Sequence, residues 1–293
     1  MTGGACGHWA WLGGEVVAAS EATVPLLDRG PQYGDGVFET LRAEDGAAFL
    51  LDEHLARLRS GLATIGIDGS GICDLAREGT RAVLGRLGRG AAMVKVMVTR
   101  GLGRGGPLIA GDSRPLVVVT GRDDGAGRPE RMTAVSSRVV RNEGSPLAGV
   151  KSLNYLEMVL ARAEATDAGA DEAIVLNTSG RVAEASSANV FALVDGRLVT
   201  PSVNEGCLPG IVRAHVLRIA RGSGQGCVEG LLGPADLARA EEAFLTNIRI
   251  GLAALVEFDG RPVGDGAGGP LTARLRREFR AAEIRSAGRA DAP

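Results

Sequence analysis

Short apolar runs of strand period, broken by glycine turns and interleaved with stretches of helical period, recur from Trp9 to Ala287. A chain patterned in this way has to fold as mixed α and β structure. Residues 9–17 read as a hairpin turning at Gly13-Gly14. Residues 38–42 and 48–51 read as a second hairpin, around Glu44-Asp45-Gly46. Asp52 is then expected to cap a helix that carries Leu55, Leu58, Leu62 and Ile65 on one face. Residues 76–87 read as a helix, and 93–99 and 115–120 as strands. The Gly- and charge-rich stretch 121–129 (GRDDGAGRP) reads as a linker. It divides the chain into an N-terminal α+β domain, 1–120, and a C-terminal domain, 130–293. Within the latter, 133–138, 172–176, 181–183, 189–194 and 197–200 read as strands, and 157–168, 211–220 and 271–287 as helices. At 293 residues the chain is long enough for two domains with their own cores.

Charge and cysteine usage narrow the functional classes. A net charge of −2 and 3% aromatic residues argue against nucleic acid and an anionic membrane as partners. Cys6, Cys73, Cys207 and Cys227 have neither the pairing nor the spacing of a zinc site, and read as reduced thiols of a cytoplasmic protein. His8, His54 and His215 are scattered, so no metal site is expected. The N-terminus lacks the pattern of a signal peptide, and no apolar run is long enough to cross a bilayer.

Of the 33 lysines and arginines only two are lysines, Lys95 and Lys151. Arginine substitutes for lysine wherever a positive charge suffices. It cannot substitute where the amine must lose its proton and form an imine. Lys95 lies in a strand pattern where its side chain would face solvent. Lys151 lies in KSLNYL, just ahead of a helical stretch. Three further segments carry matching chemistry. RVAEASSANVF places Glu184 among small residues at a strand end. LPGIVR opens a helix at Gly210, leaving unpaired N–H groups and the positive dipole end for an anion. HLARL offers a helical arginine, Arg57. A lysine, an acid, an anion-binding helix start and an arginine are what pyridoxal 5′-phosphate requires.

The order and wording of these motifs resemble the class IV aminotransferases, the fold-type IV pyridoxal-phosphate enzymes. The landmarks are DRGPQYGDGVFET from Asp28, HLARL, KSLNYL, EASSANVF, LPGIVR and FLTN from Phe244. The resemblance implies an α+β fold with a small N-terminal domain, a larger pseudo-barrel C-terminal domain and a cofactor between them, in a homodimer. It implies that Lys151 is the Schiff-base lysine, that Glu184 pairs with the pyridine nitrogen and that Arg57 contacts the phosphate. Tyr155 would line the cofactor, and Gly210, Ile211, Val212, Asn247 and Ile248 would surround its phosphate end.

Within that family two reactions compete for a small amino or carboxylate substrate. Transaminating relatives carry a threonine hydroxyl at the phosphate helix and a second a few residues after the last motif; here Val212 and Ile248 stand in those places. Lyase relatives lack these hydroxyls and often carry an asparagine where Asn247 stands. The expected activity is therefore a lyase that releases 4-aminobenzoate and pyruvate from 4-amino-4-deoxychorismate. The alternative is an aminotransferase of branched-chain or D-amino acid type, and a third reading is a cofactor-binding protein without efficient catalysis. Phe38 and the loop arginines Arg100 and Arg104 are the candidates for substrate contact.

Overall fold

A computed structural model describes residues 7–103, 106–109, 114–125 and 127–287. The chain forms two compact units. Of the described residues, the first comprises those up to Gly127 together with Val150–Asn154 and 284–287, and the second comprises Arg128–Gly149 and Tyr155–Glu283.

In the first unit the elements are β1 (His8–Leu12), β2 (Glu15–Ala18), α1 (Arg29–Tyr33), β3 (Gly36–Glu44), β4 (Ala47–Ala48), α2 (Leu51–Thr64), α3 (Ile72–Leu87), β5 (Ala91–Thr99) and β6 (Leu116–Asp123). Among the described residues the six strands form one antiparallel sheet, in the order β2-β1-β6-β5-β3-β4. Alternate residues of a strand face opposite sides. Val37 and Leu41 of β3 and Val94, Val96 and Val98 of β5 face one way, and join Leu55, Leu58 and Leu62 of α2 in the core. Phe38, Thr40, Lys95 and Met97 therefore share the other face.

Three local expectations are corrected here. Asp52 is not the cap of α2. Leu50 takes a left-handed turn (φ 52°) just after β4, so the helix starts two residues earlier and Asp52 lies inside its first turn. There its charge still favours the helix dipole. α3 begins at Ile72, because Ile72 and Cys73 continue the buried stripe of Ala76, Thr80 and Val83. The expected linker loses its first three residues to β6. Gly121 pairs with both Trp9 and Val94, and a Cβ at that position would run into Val83 of α3.

In the second unit the elements are β7 (Arg131–Arg141), α4 (Leu156–Asp167), β8 (Glu172–Asn177), β9 (Val182–Ala185), β10 (Asn189–Val194), β11 (Arg197–Pro201), α5 (Ile211–Gly222), β12 (Cys227–Gly230), α6 (Pro234–Ala238), β13 (Glu242–Asn247), β14 (Gly251–Phe258), β15 (Arg261–Pro262) and α7 (Pro270–Ala287). The strands build a curled, mixed sheet in the order β12-β11-β10-β13-β14-β7-β8-β9, with β15 on β14. β7 runs parallel to both β14 and β8. Val190, Ala192, Leu245 and Leu255 belong to its core, and the rings of Phe191 and Phe244 stack with centroids 4.8 Å apart. Among the described residues no helix is long and apolar enough to cross a membrane.

Candidate active site

The segment that carries Lys151 adds itself to the edge of the first unit's sheet. Phe38 N–H donates to the Lys151 carbonyl at 2.9 Å, Leu153 N–H donates to the Gly36 carbonyl at 2.9 Å, and Val37 pairs with Ser152 between them. This antiparallel register sets Lys151 opposite Phe38 on the sheet face turned away from α2. The Lys151 Nζ lies 4.2 Å from the centroid of the Phe38 ring. Asn154 Nδ2 donates to the Gly34 carbonyl at 3.0 Å. Gly34 is left-handed (φ 65°), and a Cβ there would strike the Asn154 side chain. The QYGDG and KSLN motifs are thus two halves of one backbone junction, and glycine is required where they meet.

Arg57 comes from α2 and grips Glu39 with two bonds, Nε to Oε1 at 2.8 Å and Nη2 to Oε2 at 2.7 Å. His54, one turn earlier on α2, places Nδ1 2.7 Å from Glu39 Oε2. Burial alone would raise the Glu39 pKa, but the Arg57 charge and the bonds from Arg57 and His54 outweigh it and hold it at about 2. Burial lowers the His54 pKa despite the neighbouring carboxylate. Nε2 of this buried ring has no hydrogen-bond partner among the described residues. Sequence reasoning passed over Glu39 and His54. Their signal was present: an acid on the core-facing side of a strand, and a histidine one turn from a helical arginine.

Arg100 does not have the open guanidinium expected of a substrate contact. It is buried, with Nε bonded to Asp35 at 2.8 Å, Nη1 to the Gly66 carbonyl at 3.1 Å and Nη2 to the Ile65 carbonyl at 2.5 Å. A cation that satisfies carbonyls at the C-terminus of α2 is an architectural group. Asp35 is shared with Arg29 at 2.7 Å. Its burial raises its pKa, and the two guanidinium groups bring it below the ordinary value. Arg104 lies outside the described residues.

The second unit gathers the other candidates around the turn between β9 and β10. Glu184, in β9, is a buried carboxylate. Its Oε2 accepts the Leu208 N–H at 3.0 Å, and Arg141 Nε stands 3.7 Å from its Oε1. Tyr155, at the start of α4, donates its hydroxyl to the Ser186 carbonyl at 3.1 Å. Asn247 donates to the Ser187 carbonyl at 3.0 Å. Its Oδ1 accepts the N–H groups of Arg249 and Ile250, which shapes the turn that carries Ile248. α5 opens at Gly210 in extended conformation, with no side-chain cap. Asn189 fixes that start through the Leu208 carbonyl at 2.9 Å, and a Cβ on Gly210 would collide with its Oδ1. Ile211 and Val212 therefore present first-turn N–H groups, and the Val212 side chain is buried. Thr246 Oγ1 is a buried hydroxyl without a partner among the described residues. An uncapped helix start held open by an obligatory glycine suits a phosphate, so the residues present fit the cofactor.

Other chemistries find less support. Among the described residues no three His, Cys, Asp or Glu side chains are grouped to hold a metal ion. Burial, then the Glu184 charge, push the Cys207 thiol up to about 12, which removes it as a thiolate nucleophile.

Comparison with known proteins agrees with this geometry. The sequence profile of the class IV amino-transferases matches residues 36–256. A putative branched-chain-amino-acid aminotransferase of Methanocaldococcus jannaschii is 34% identical over 283 residues, covering 92% of this chain and 94% of that one. A D-alanine aminotransferase of Listeria innocua is 31% identical, covering 93% and 95%. The structure of the branched-chain amino acid aminotransferase from Escherichia coli superposes with a TM-score of 0.86 at 27% identity, covering 94% of each chain. A second branched-chain amino acid aminotransferase, solved with pyridoxamine 5′-phosphate, superposes with a TM-score of 0.85, also at 27% identity and over 94% of each chain. The protein belongs to the class IV aminotransferases, the pyridoxal 5′-phosphate enzymes of fold type IV.

Proposed function

We propose that this chain is an aminotransferase that moves an amino group between small amino acids and 2-oxo acids. The observation that carries the reading is its likeness, over nine-tenths of its length, to proteins named branched-chain and D-alanine aminotransferases. The lyase expected from Val212, Asn247 and Ile248 finds no support in those comparisons. The missing hydroxyls are a weak guide, because backbone N–H groups alone can satisfy a phosphate at a helix start.

When bound, pyridoxal 5′-phosphate supplies the electron sink that makes the substrate's α-proton acidic. Lys151 is the residue that would hold the cofactor covalently, and its amine is the base that would move that proton. Its approach along the edge of β3 fixes the amine over Phe38. Glu184, buried and held by the Leu208 N–H, would pair with the cofactor's pyridine nitrogen and favour its protonated form. Ile211 and Val212 offer N–H groups to the phosphate, and Arg57, steadied by Glu39, is the cation assigned to it. The apolar residues Leu26, Leu27, Leu102, Leu108 and Ile109, all exposed, support a homodimer. The localisation we propose is the cytoplasm.

The deciding experiment loads the protein with cofactor and mixes it with a panel of L- and D-amino acids. Conversion of the cofactor to its amine form, reversed by a 2-oxo acid, is the expected result. Sustained 4-aminobenzoate release from 4-amino-4-deoxychorismate without any 2-oxo acid would restore the lyase.

A further inference from the structure

Glu172 opens β8 with its side chain buried, at 1% exposure, and among the described residues four donors close around it. Its Oε1 accepts the Ser186 hydroxyl and, at 3.0 Å, the Ala173 N–H. Its Oε2 accepts the Ser187 hydroxyl at 2.6 Å and stands 3.0 Å from Arg162 Nη1. A carboxylate has about four lone-pair directions, so this one is filled and both serine protons are committed to it. The Ser186 N–H donates to the Ala173 carbonyl at 2.8 Å, which fastens the turn between β9 and β10 onto β8 beside the same acid.

The same two serines hold site residues with their carbonyls. The Ser186 carbonyl takes the Tyr155 hydroxyl proton at 3.1 Å, and the Ser187 carbonyl takes a proton of Asn247 Nδ2 at 3.0 Å. Arg162 lies on α4, two turns after Tyr155. Glu172 therefore reaches Tyr155 at both ends, at its helix through Arg162 and at its hydroxyl through Ser186. An acid that served the core alone would have no reason to orient these two peptide groups. A phenol has one proton to give. With that proton on the Ser186 carbonyl, the Tyr155 oxygen has only lone pairs to offer any other group.

We propose that Glu172 is a positioning residue of the cofactor site: through Ser186 it fixes the direction of the Tyr155 hydroxyl, so that Tyr155 meets the cofactor as an acceptor and not as a donor. The proposal rests on the cofactor assignment and on Tyr155 lining the cofactor, and not on the aminotransferase reading. An amide at position 172 keeps one acceptor oxygen and turns N–H donors toward a hydroxyl that is itself donating, so one serine has to rotate. The turn then loosens, and the Tyr155 proton is free to swing toward the ring oxygen of the cofactor. A donor there stabilises the oxyanion. The proton that this oxygen shares with the nitrogen of the lysine linkage is then lost at lower pH.

The test uses protein loaded with pyridoxal 5′-phosphate, without substrate, and follows the visible absorption band of the cofactor against pH. Glu172→Gln should lower the midpoint of that titration by about half a pH unit or more, the effect of one redirected hydrogen bond. Ser186→Ala, which leaves the acid in place and removes one hydroxyl, should move it in the same direction. Tyr155→Phe should shift the midpoint as well, and in that background Glu172→Gln should add nothing, because residues that act through one another are not additive. Denaturant midpoints of the apoproteins report any general loss of stability separately. A midpoint unchanged or raised in Glu172→Gln, or a shift that persists in full in the Tyr155→Phe background, overturns the proposal. If Glu172→Gln does not fold, Ser186→Ala and Tyr155→Phe complete the same cycle and the same outcomes decide. No substrate enters the measurement, so a protein that proves to be a lyase refutes the aminotransferase reading and leaves this one standing.

Discussion

Two residues of one type stand out because nearly every other cation of the chain is an arginine. Lys151 is placed by two backbone hydrogen bonds with β3, so its amine is delivered by the sheet and not by a flexible loop. Borohydride reduction of the cofactor-loaded protein should leave the adduct on Lys151, and Lys151→Ala should lose both the covalent linkage and nearly all turnover. Peptide mapping decides it, and an adduct on Lys95 would reverse the assignment. Arg100 teaches the opposite lesson. In the sequence it is a loop arginine awaiting a carboxylate; in the fold three of its donors are spent on Asp35, Ile65 and Gly66.

At the scale of elements, β3 and α2 are joined through a buried charge. Glu39 titrates near 4.5 when exposed and at about 2 here, so its stabilising contribution is complete above about pH 4.5 and disappears as the pH falls toward 2. His54 is held below its ordinary value of 6.5, so unfolding takes up a proton below that pH and stability declines there too. Glu39→Gln should cost about 3 kcal/mol at neutral pH, because it removes the buried charge that Arg57 grips with two bonds, and should abolish the lower window. His54→Gln should flatten the profile around pH 6 while leaving the acid limb. Denaturant midpoints across pH 3 to 8 measure both, and a Glu39→Gln profile parallel to the parent's would contradict the assignment. α5 makes a separate prediction. With Val212 in place of a hydroxyl residue, cofactor binding leans on Arg57 and on backbone N–H groups. Arg57→Ala should weaken the cofactor by about one to two decades, the worth of one charge-assisted bond, and Val212→Thr should tighten it modestly. Equilibrium titration of the apoprotein with pyridoxal 5′-phosphate reads both. Unchanged affinity in Arg57→Ala would place the phosphate elsewhere.

For the molecule as a whole, the exposed apolar residues decide the expectation. Leu26 and Leu108 are 88% and 86% exposed, far above what a monomer's surface usually leaves to leucine. They belong to connected segments, since Arg29 binds the carbonyls of Gly106, Pro107 and Leu108, and Gly103 N–H reaches the Leu27 carbonyl. Sedimentation should report twice the 30.1 kDa of the chain. Leu27→Asp combined with Leu108→Asp should shift the species toward the monomer; a parent that sediments as a monomer at micromolar concentration excludes the homodimer.

The sequence by itself determined the α+β class, the course of most strands and helices, the family, and the suspicion that fell on Lys151 and Glu184. Those follow from local periodicity and from spacing along the chain, which need no knowledge of what lies across a sheet. It placed helix starts less well, because Leu50 and Ile72 are set by the turn and core they join and not by a capping side chain. It did not reveal the Glu39–His54–Arg57 cluster, the engagement of Arg100, or the meeting of Lys95 with Lys151. Each of these depends on strand register, which pairs residues tens of positions apart and assigns each side chain to one face. Periodicity showed that Lys95 faces away from the core; only the pairing of β3 with β5 and with the Lys151 segment put both amines over one ring.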